Sequence, residues 1–308
     1  MNLRRTRLAP SPTGALHLGN ATTFLINWAI ARANDWEIIM RIEDLNGPRI
    51  HAGSIAETID ILRWLGINWD GDIYIQSEEL VNSQHALAQL IGIDAVYHCN
   101  LSRTEIEEAT FAPHREDEQK QKAIRPDHVR SHNMRVDNED TNWRFIVPDT
   151  HRTVHDQFYG SVQCDLDQDF IVWTKQGTPS YQLAVVVDDH RQGITDVIRG
   201  NDLLKSAAWQ ELLYNAFNWE PPTWHHLPLI LGSDGKRLAK RHGDTRISSY
   251  RRQGVKPERI IALIARWCNI QGEHIEMNAN TFCQQLDSTK MQTADIVFTN
   301  EDEQWLLD

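Results

Sequence analysis

From Ala9 to Glu43 the chain passes from a turn broken by proline and glycine, through a helical run, into a nearly continuous apolar stretch; this order leaves few folds open. The turn reads APSPTGALHLGN. Behind it, NATTFLINWAIARAND places Phe24, Leu25, Trp28 and Ala29 at helical spacing and stops at Asn34-Asp35. WEIIMRIE, Trp36 to Glu43, has the unalternating hydrophobicity of a strand covered on both faces. Ser54-Ile-Ala-Glu57 predicts a capping box that opens a helix carrying Ile55, Ile59, Leu62 and Leu65 on one side and ending at Gly66. Alternation of β and α over the first hundred residues predicts an α/β fold, a doubly wound parallel sheet with helices on both faces.

The pattern changes from about Cys99 to Gln176. A charged, histidine-rich stretch gives way to short strand-like runs, WRFIV and DFIVW, and the turn KQGTP, which predicts an α+β subdomain inserted at about 99–178. The βα alternation resumes with Tyr181 to Asp189, YQLAVVVDD, read as a strand, and a helix from about Asn201 to Phe217. Beyond Lys240 the text is mostly helical, with Ile260, Ile261, Leu263, Ile264 and Trp267 as its apolar set. The expected organisation is an interrupted α/β domain over 1–245 and a helical region over 246–308, without an internal repeat or low-complexity linker.

A chain of 308 residues, 41% of them hydrophobic, can bury a sizeable core. No stretch approaches the roughly 18 uninterrupted apolar residues of a membrane span, so a soluble cytoplasmic protein with no membrane partner is expected. Cys99, Cys164, Cys268 and Cys283 form no C-x-x-C pair, which favours reduced, mostly buried thiols. The net charge of -12 does not by itself exclude a nucleic-acid partner, because screening limits exposed charges to a reach of about 10 Å. Lys236 to Arg252 carries seven Lys/Arg and one Asp, a local basic patch that on its own is also compatible with a solvated face.

In an open α/β sheet the ligand crevice lies beyond the carboxyl ends of the strands, and the first βα turn is its usual floor. The opening turn sits there. The start of a helix offers unpaired N–H groups and partial positive charge to a phosphate, Gly14 and Gly19 allow a nucleotide close to the backbone, and His17 can donate to phosphate oxygens. A lone histidine in a turn has an ordinary structural explanation too. So does the loop LILGSDGKRLAKRHGD with Arg237 and Lys240, read alone.

Taken together, the two stretches resemble the "HIGH" turn and "KMSKS" loop of class I aminoacyl-tRNA synthetases. The words LAPSPTGALHLGNA, RIEDLNGPR, DGDIYIQSE, DFIVWTKQGTPSYQLAVVVDDH, GITDVIRGNDLL and LAKRHGD, in that order, resemble the glutamyl-tRNA synthetase family across the catalytic region. The resemblance implies ATP, carried with Mg²⁺ as a substrate complex, at Pro12, Gly14, His17, Gly19, Asn20, Arg237 and Lys240. His17 and Lys240 are the implied catalytic residues, stabilising charge that grows on the phosphates. Asn20 replaces the final His of the first motif; Arg237 stands for the first lysine of the second, and Ala239 for its serine. L-glutamate is implied at Arg7, Ala9, Ser11, Glu43, Tyr181 and Arg199, with Arg7 facing the γ-carboxylate and Glu43 the α-ammonium. Outside that context Arg199 could serve an ion pair, Tyr181 strand packing and Glu43 a turn.

Family members with a long C-terminal anticodon reader extend well beyond the basic loop, whereas here some 65 residues follow it. The chain is therefore more similar to the short branch that attaches glutamate to queuosine in the anticodon of tRNA(Asp), and Val185, where full-length members often carry Asn, agrees with that branch. A monomer is expected. The branch commonly binds zinc through Cys-x-Cys and a downstream Tyr and Cys; here Cys99 remains but Leu101 replaces the second cysteine, so zinc is not expected, although His98, His114, His128 and His132 lie in the insertion. Two other readings stay open: a truncated enzyme charging the 3′ end of tRNA(Glu), and a non-catalytic paralogue that binds glutamate or an adenylate.

Overall fold

The computed structural model describes residues 3–12, 15–45, 53–99, 141–148, 151–166, 168–236, 238, 244–270 and 275–308. Strand β1 (Arg5–Leu8) runs parallel to β2 (Glu37–Ile42), which runs parallel to β3 (Ile73–Ile75). Three antiparallel strands, β4 (Val96–Cys99), β5 (Asn142–Phe145) and β8 (Phe170–Trp173), form the sheet of the inserted region. The hairpin β6 (His151–Asp156) and β7 (Gly160–Asp165) joins the main body instead: β6 is parallel to β10 (Thr223–Leu227), which is parallel to β9 (Asp196–Gly200). The two parallel sheets meet at β1 and β9, where the Thr195 N–H donates to the Arg5 carbonyl at 2.9 Å and Thr195 Oγ1 accepts from the Arg5 N–H at 2.8 Å.

The unbroken hydrophobicity of β2 has the expected cause. Ile38, Met40 and Ile42 enter one core with helix α1 (Leu18–Ala33), while Ile39 on the other face enters a second core. Helix α1 lies against β1, β2 and β9 and also meets a C-terminal helix, Ala279–Gln285, so Leu18, Leu25, Trp28 and Ala29 are all buried. Its end falls as expected: Asn34 caps it and its side chain donates to the Ile30 carbonyl at 2.8 Å.

Helix α2 (Ser54–Trp64) begins one residue earlier than the capping-box reading requires. Gly53 is its N-cap, so Ser54 is already inside the helix and cannot play that role. Helix α3 (Leu80–Gly92) precedes β4. The larger correction concerns YQLAVVVDD, which is helix α4 (Tyr181–Arg191) and not a strand. Leu183 through Asp189 are all buried between neighbouring elements, so no amphipathic period survives to reveal the helix, and tertiary burial outweighs the weak preference of Val for strands.

Helix α5 (Leu204–Ala216) follows a 3₁₀ turn at Asn201–Leu203, close to the expected bounds. Beyond the two-residue strand β11 (Ile230–Leu231) come α6 (Ile247–Arg252), α7 (Pro257–Trp267), α8 (Ala279–Gln285), strand β12 (Ile296–Val297) and α9 (Asn300–Leu307). Ile260, Ile261, Leu263 and Ile264 of α7 are buried in the same core as α1, each contributing about 1.5–3 kcal/mol. Strand β12 pairs in parallel with β11 and returns the end of the chain to the middle of the molecule. All four cysteines are free, and three are buried. Among the described residues no helix is long and apolar enough to cross a membrane.

Two glycines separate backbone conformation from close packing. Gly53 and Gly66 have φ of +82° and +80°, but only Gly66 has a neighbour where a Cβ would stand, the Cβ of Ala279 at 3.0 Å. Gly53→Ala should cost about 1–2 kcal/mol, the penalty of a left-handed L-residue. Gly66→Ala should cost more, because α8 must also shift. Urea unfolding of the two variants measures the difference, and equal losses would mean that α8 yields freely.

Candidate active site

An open cavity of about 480 Å³ lies at the carboxyl ends of β1, β2 and β9, within the size range of small-molecule sites. Arg7, Ala9 and Ser11 reach it from β1 and the chain that follows, Glu43 from just beyond β2, Arg199 from β9, and Tyr181 from the first turn of α4. His17, Gly19 and Asn20 contribute the start of α1. The six residues expected around glutamate thus share one cavity with three of those expected around ATP. Pro12 is buried and is not on the cavity wall. Gly14, Arg237 and Lys240, together with Ala239, lie outside the described residues.

The first turn and the far end of the basic segment are joined through the backbone. Leu18 N–H donates to the Thr245 carbonyl at 2.9 Å, Ile247 N–H donates to the Leu16 carbonyl at 2.9 Å, and His17 and Arg246 form an antiparallel bridge. His17 is the extended N-cap of α1. A Cβ at Gly19 would stand 3.4 Å from both Cε1 and Nδ1 of the imidazole, an ordinary van der Waals contact, so the ring lies directly against the first turn of the helix. The Leu18 amide is used by Thr245, so Gly19 and Asn20 supply the amide end of the α1 dipole at the cavity wall.

Under the cavity lies a group of buried charges. Asp189, 1% exposed, accepts from Arg41 at 2.7 Å and from Arg7 at 3.3 Å, and Arg41 also reaches Glu43 at 3.2 Å. Register explains the meeting: Arg7 of β1 stands beside Ile39 of β2, and Ile39 and Arg41, two residues apart, share the face that α4 covers. Burial pushes the Glu43 carboxyl above its ordinary value, with Arg41 and Arg7 opposing the shift. Burial by itself would lower the Arg41 pKa, but Asp189, Glu43 and Asp188 outweigh it and the group is held more firmly protonated than usual.

Arg199, 5% exposed, is placed differently. Its Nε–H donates to His226 Nε2 at 3.1 Å, Nη1 to Gln210 Oε1 at 2.9 Å and Nη2 to the Leu203 carbonyl at 3.2 Å. Burial lowers its pKa and the positive charge of Arg7 acts in the same direction, while Tyr181, to which it also hydrogen-bonds, and the negative charge of Asp189 oppose the shift. Tyr181 is its phenolic neighbour, with its own pKa raised by burial. The ring exposes 40% of its surface and lines the cavity.

Sequence reasoning missed Arg41, Asp189, Gln210 and His226. Asp188 and Asp189 did carry a signal, since two carboxylates closing an apolar run must find partners if that run is buried. Read as a helix, YQLAVVVDD puts Tyr181, Val185 and Asp189 along one face, with Tyr181 on the cavity wall and Asp189 two turns on, among the arginines. Cys99, the described member of the expected zinc pattern, is buried at the end of β4 beside Tyr97 and Ile146. Leu101, His114, His128 and His132 lie outside the described residues. A leucine side chain has no donor for a metal, so the pattern does not fit the branch's zinc site.

Residues 4–304 match the family of class I tRNA synthetases (E and Q), catalytic domain, and the chain belongs to that family. It is an ATP-dependent ligase with the class I mixed α/β catalytic fold. Among relatives, it is 42% identical to glutamyl-Q tRNA(Asp) synthetase of Rhodopirellula baltica, over 84% of this chain and 83% of that one. It is 38% identical to glutamate–tRNA ligase 1 of Mesorhizobium japonicum over 85% of this chain but only 56% of the relative, so it spans about half the length of that ligase. A crystal structure of a glutamate tRNA ligase from Elizabethkingia meningosepticum, in complex with its amino acid, superposes with a TM-score of 0.80 at 27% identity, covering 98% of this chain and 68% of the other.

The buried charge group yields a stability prediction. Asp189→Ala leaves Arg7 without its carboxylate and Arg41 with Glu43 alone, which should cost about 3–5 kcal/mol. Asp189→Asn keeps an acceptor but not the charge and should also be destabilised. Urea unfolding checks both; an Ala variant as stable as the parent would show that the carboxylate contributes nothing net.

Proposed function

We propose that this enzyme activates L-glutamate with ATP to glutamyl-adenylate and transfers the glutamate to queuosine in the anticodon of tRNA(Asp), acting as a cytoplasmic monomer without bound zinc. The observation that carries the amino-acid assignment is the placement of buried cations at the cavity. With Glu43 ionised, Arg7 and Arg41 are offset by Asp189 and Glu43, whereas Arg199 has only neutral hydrogen-bond acceptors among the described residues. Asp202 also lines the cavity, so the wall is not cationic overall; what it offers is a buried guanidinium at Arg199 with no carboxylate hydrogen-bonded to it among the described residues. Free glutamate brings two carboxylates to Arg7 and Arg199, whereas glutamine brings only one.

In the first step a carboxylate oxygen of glutamate attacks the α-phosphorus of ATP, the bond to the β-phosphate bridging oxygen breaks, and pyrophosphate leaves. Mg²⁺ arrives with ATP and neutralises phosphate charge. No covalent enzyme nucleophile is needed; catalysis consists of holding two anions together and stabilising charge that grows on phosphate. The amide end of α1 at Gly19 and Asn20, with His17, is the proposed phosphate cradle, and Lys240 and Arg237 are proposed to bring cations to the departing pyrophosphate. Arg7, Ala9, Ser11, Glu43, Tyr181 and Arg199 are proposed to enclose the amino acid. In the second step a hydroxyl of the queuosine ring attacks the acyl carbon and AMP leaves. Support for queuosine as acceptor comes from the relative in Rhodopirellula baltica and from Val185, together with the basic segment Lys236 to Arg252 as a contact for the RNA backbone.

The test is ATP–pyrophosphate exchange followed by label transfer. Glutamate should support exchange without tRNA, and labelled glutamate should enter queuosine-containing tRNA(Asp) and survive removal of the terminal adenosine. Label on the 3′ ribose of tRNA(Glu) would replace the reading with that of a truncated aminoacylating enzyme, and an absence of exchange under any condition would leave only binding. Lys240→Ala should lower the activation rate on the order of 10²–10³-fold with little change in glutamate KM, since its contact is made mainly in the transition state. A loss confined to glutamate KM would reject that role.

A further inference from the structure

Arg199 and His226 face each other across the β9–β10 ladder, where they are register partners. Resting on the glutamate reading above, we infer that His226, locked in one tautomer by Asp156, is a positioning residue that keeps Arg199 a cation with no carboxylate hydrogen-bonded to it among the described residues, so that a carboxylate of the substrate fills that place.

The chain of bonds begins at Asp156, the last residue of β6. Its Oδ1 accepts the N–H groups of Phe158 and Tyr159 at 2.8 and 2.9 Å, and its Oδ2 accepts the N–H of His226 at 2.9 Å. A carboxylate held by three backbone donors is kept ionised; although burial alone would raise its pKa, these bonds and His226 draw it below the usual Asp value. Asp156 Oδ2 lies 2.7 Å from His226 Nδ1. An ionised carboxylate can only accept, so Nδ1 carries the proton.

The other ring nitrogen is then decided as well. Arg199 Nε can only donate, and it points at His226 Nε2 from 3.1 Å, so Nε2 presents its lone pair. A second proton on the ring would set N–H against N–H. His226 is fully buried, and burial together with the Arg199 charge lowers its pKa against the opposing pull of Asp156 and the Leu203 carbonyl, which favours the neutral ring. Phe or Leu at this position would leave the Arg199 Nε–H without an acceptor. Asp or Glu would neutralise the guanidinium before substrate arrived. A neutral imidazole satisfies the donor and leaves the charge intact, while the negative charge that fixes it stands one ring further away.

The contrast with Arg7 and Arg41 supports the inference. Both of those arginines touch Asp189 directly, and their charge is shared with fixed carboxylates. Gln210 and the Leu203 carbonyl extend the same neutral treatment to the two ends of the Arg199 guanidinium. The Trp224 ring, 4.9 Å from its central carbon, adds attraction without neutralising it.

The experiment is exchange kinetics on three variants of the full chain, with thermal unfolding recorded for each. His226→Phe should raise glutamate KM about 10- to 100-fold, the size expected for a lost bond to a charged group, and leave ATP KM nearly unchanged. His226→Gln, which offers a neutral carbonyl oxygen to Arg199, should recover part of that loss. His226→Glu should raise glutamate KM and narrow the preference for glutamate over glutamine. The inference is overturned if His226→Phe folds and keeps its glutamate KM, if ATP and glutamate KM rise together, or if Gln is no better than Phe. A parent enzyme that supports no glutamate-dependent exchange would instead refute the glutamate reading and this inference with it.

Discussion

Asp189 is the single carboxylate on which the geometry of the cavity floor depends. It sits on α4 and holds Arg7 of β1 and Arg41 of β2, so one buried anion fixes the relative positions of a helix and two strands. Such an arrangement is poor evidence for stability, because desolvating three charges offsets most of their attraction. Its value lies in placement. The arginines stand on adjacent strands at a fixed spacing, Glu43 follows from Arg41, and the carboxyl ends of both strands open into the cavity.

The opposite wall is fixed by backbone contacts. The turn before α1 is stitched to Thr245–Ile247, and the strand leading toward the basic segment is anchored where Leu238 N–H donates to the Ile230 carbonyl at 3.1 Å. Two stretches more than two hundred residues apart therefore meet at one helix start, which gives a physical reason for their pairing in the sequence. Fixed charges lie below the cavity, the α1 dipole stands at its side, and the sequence-identified cations belong to a segment anchored on both flanks.

Much of this was legible from the text alone. A strand buried on both faces announces itself by losing its alternation, as β2 does, and a polar turn with proline and glycine marks the first βα junction. Arg7, Ala9, Ser11, Glu43, Tyr181 and Arg199, which the family resemblance implies around glutamate, share one cavity wall, and their roles there are the proposal above. The helix α4 was misread for the same reason that β2 was read correctly: uniform burial erases periodicity in both, and an eleven-residue run rich in Val gives no way to choose by pattern. The Arg199–His226–Asp156 chain was invisible because its members lie on three strands and meet only through sheet order. No spacing along the chain encodes that meeting.

The pairing of β12 with β11 ties a segment far along the chain to the wall of the cavity. Ile296 and Phe298 donate to the carbonyls of Leu229 and Leu231, and Asp295 accepts from both the Leu229 amide and the Asn201 side chain. Leu229 and Ile230 are cavity wall. Residues 295–298 therefore brace the cavity wall without lining it, so a substitution there would reach the site through Leu229 and Ile230.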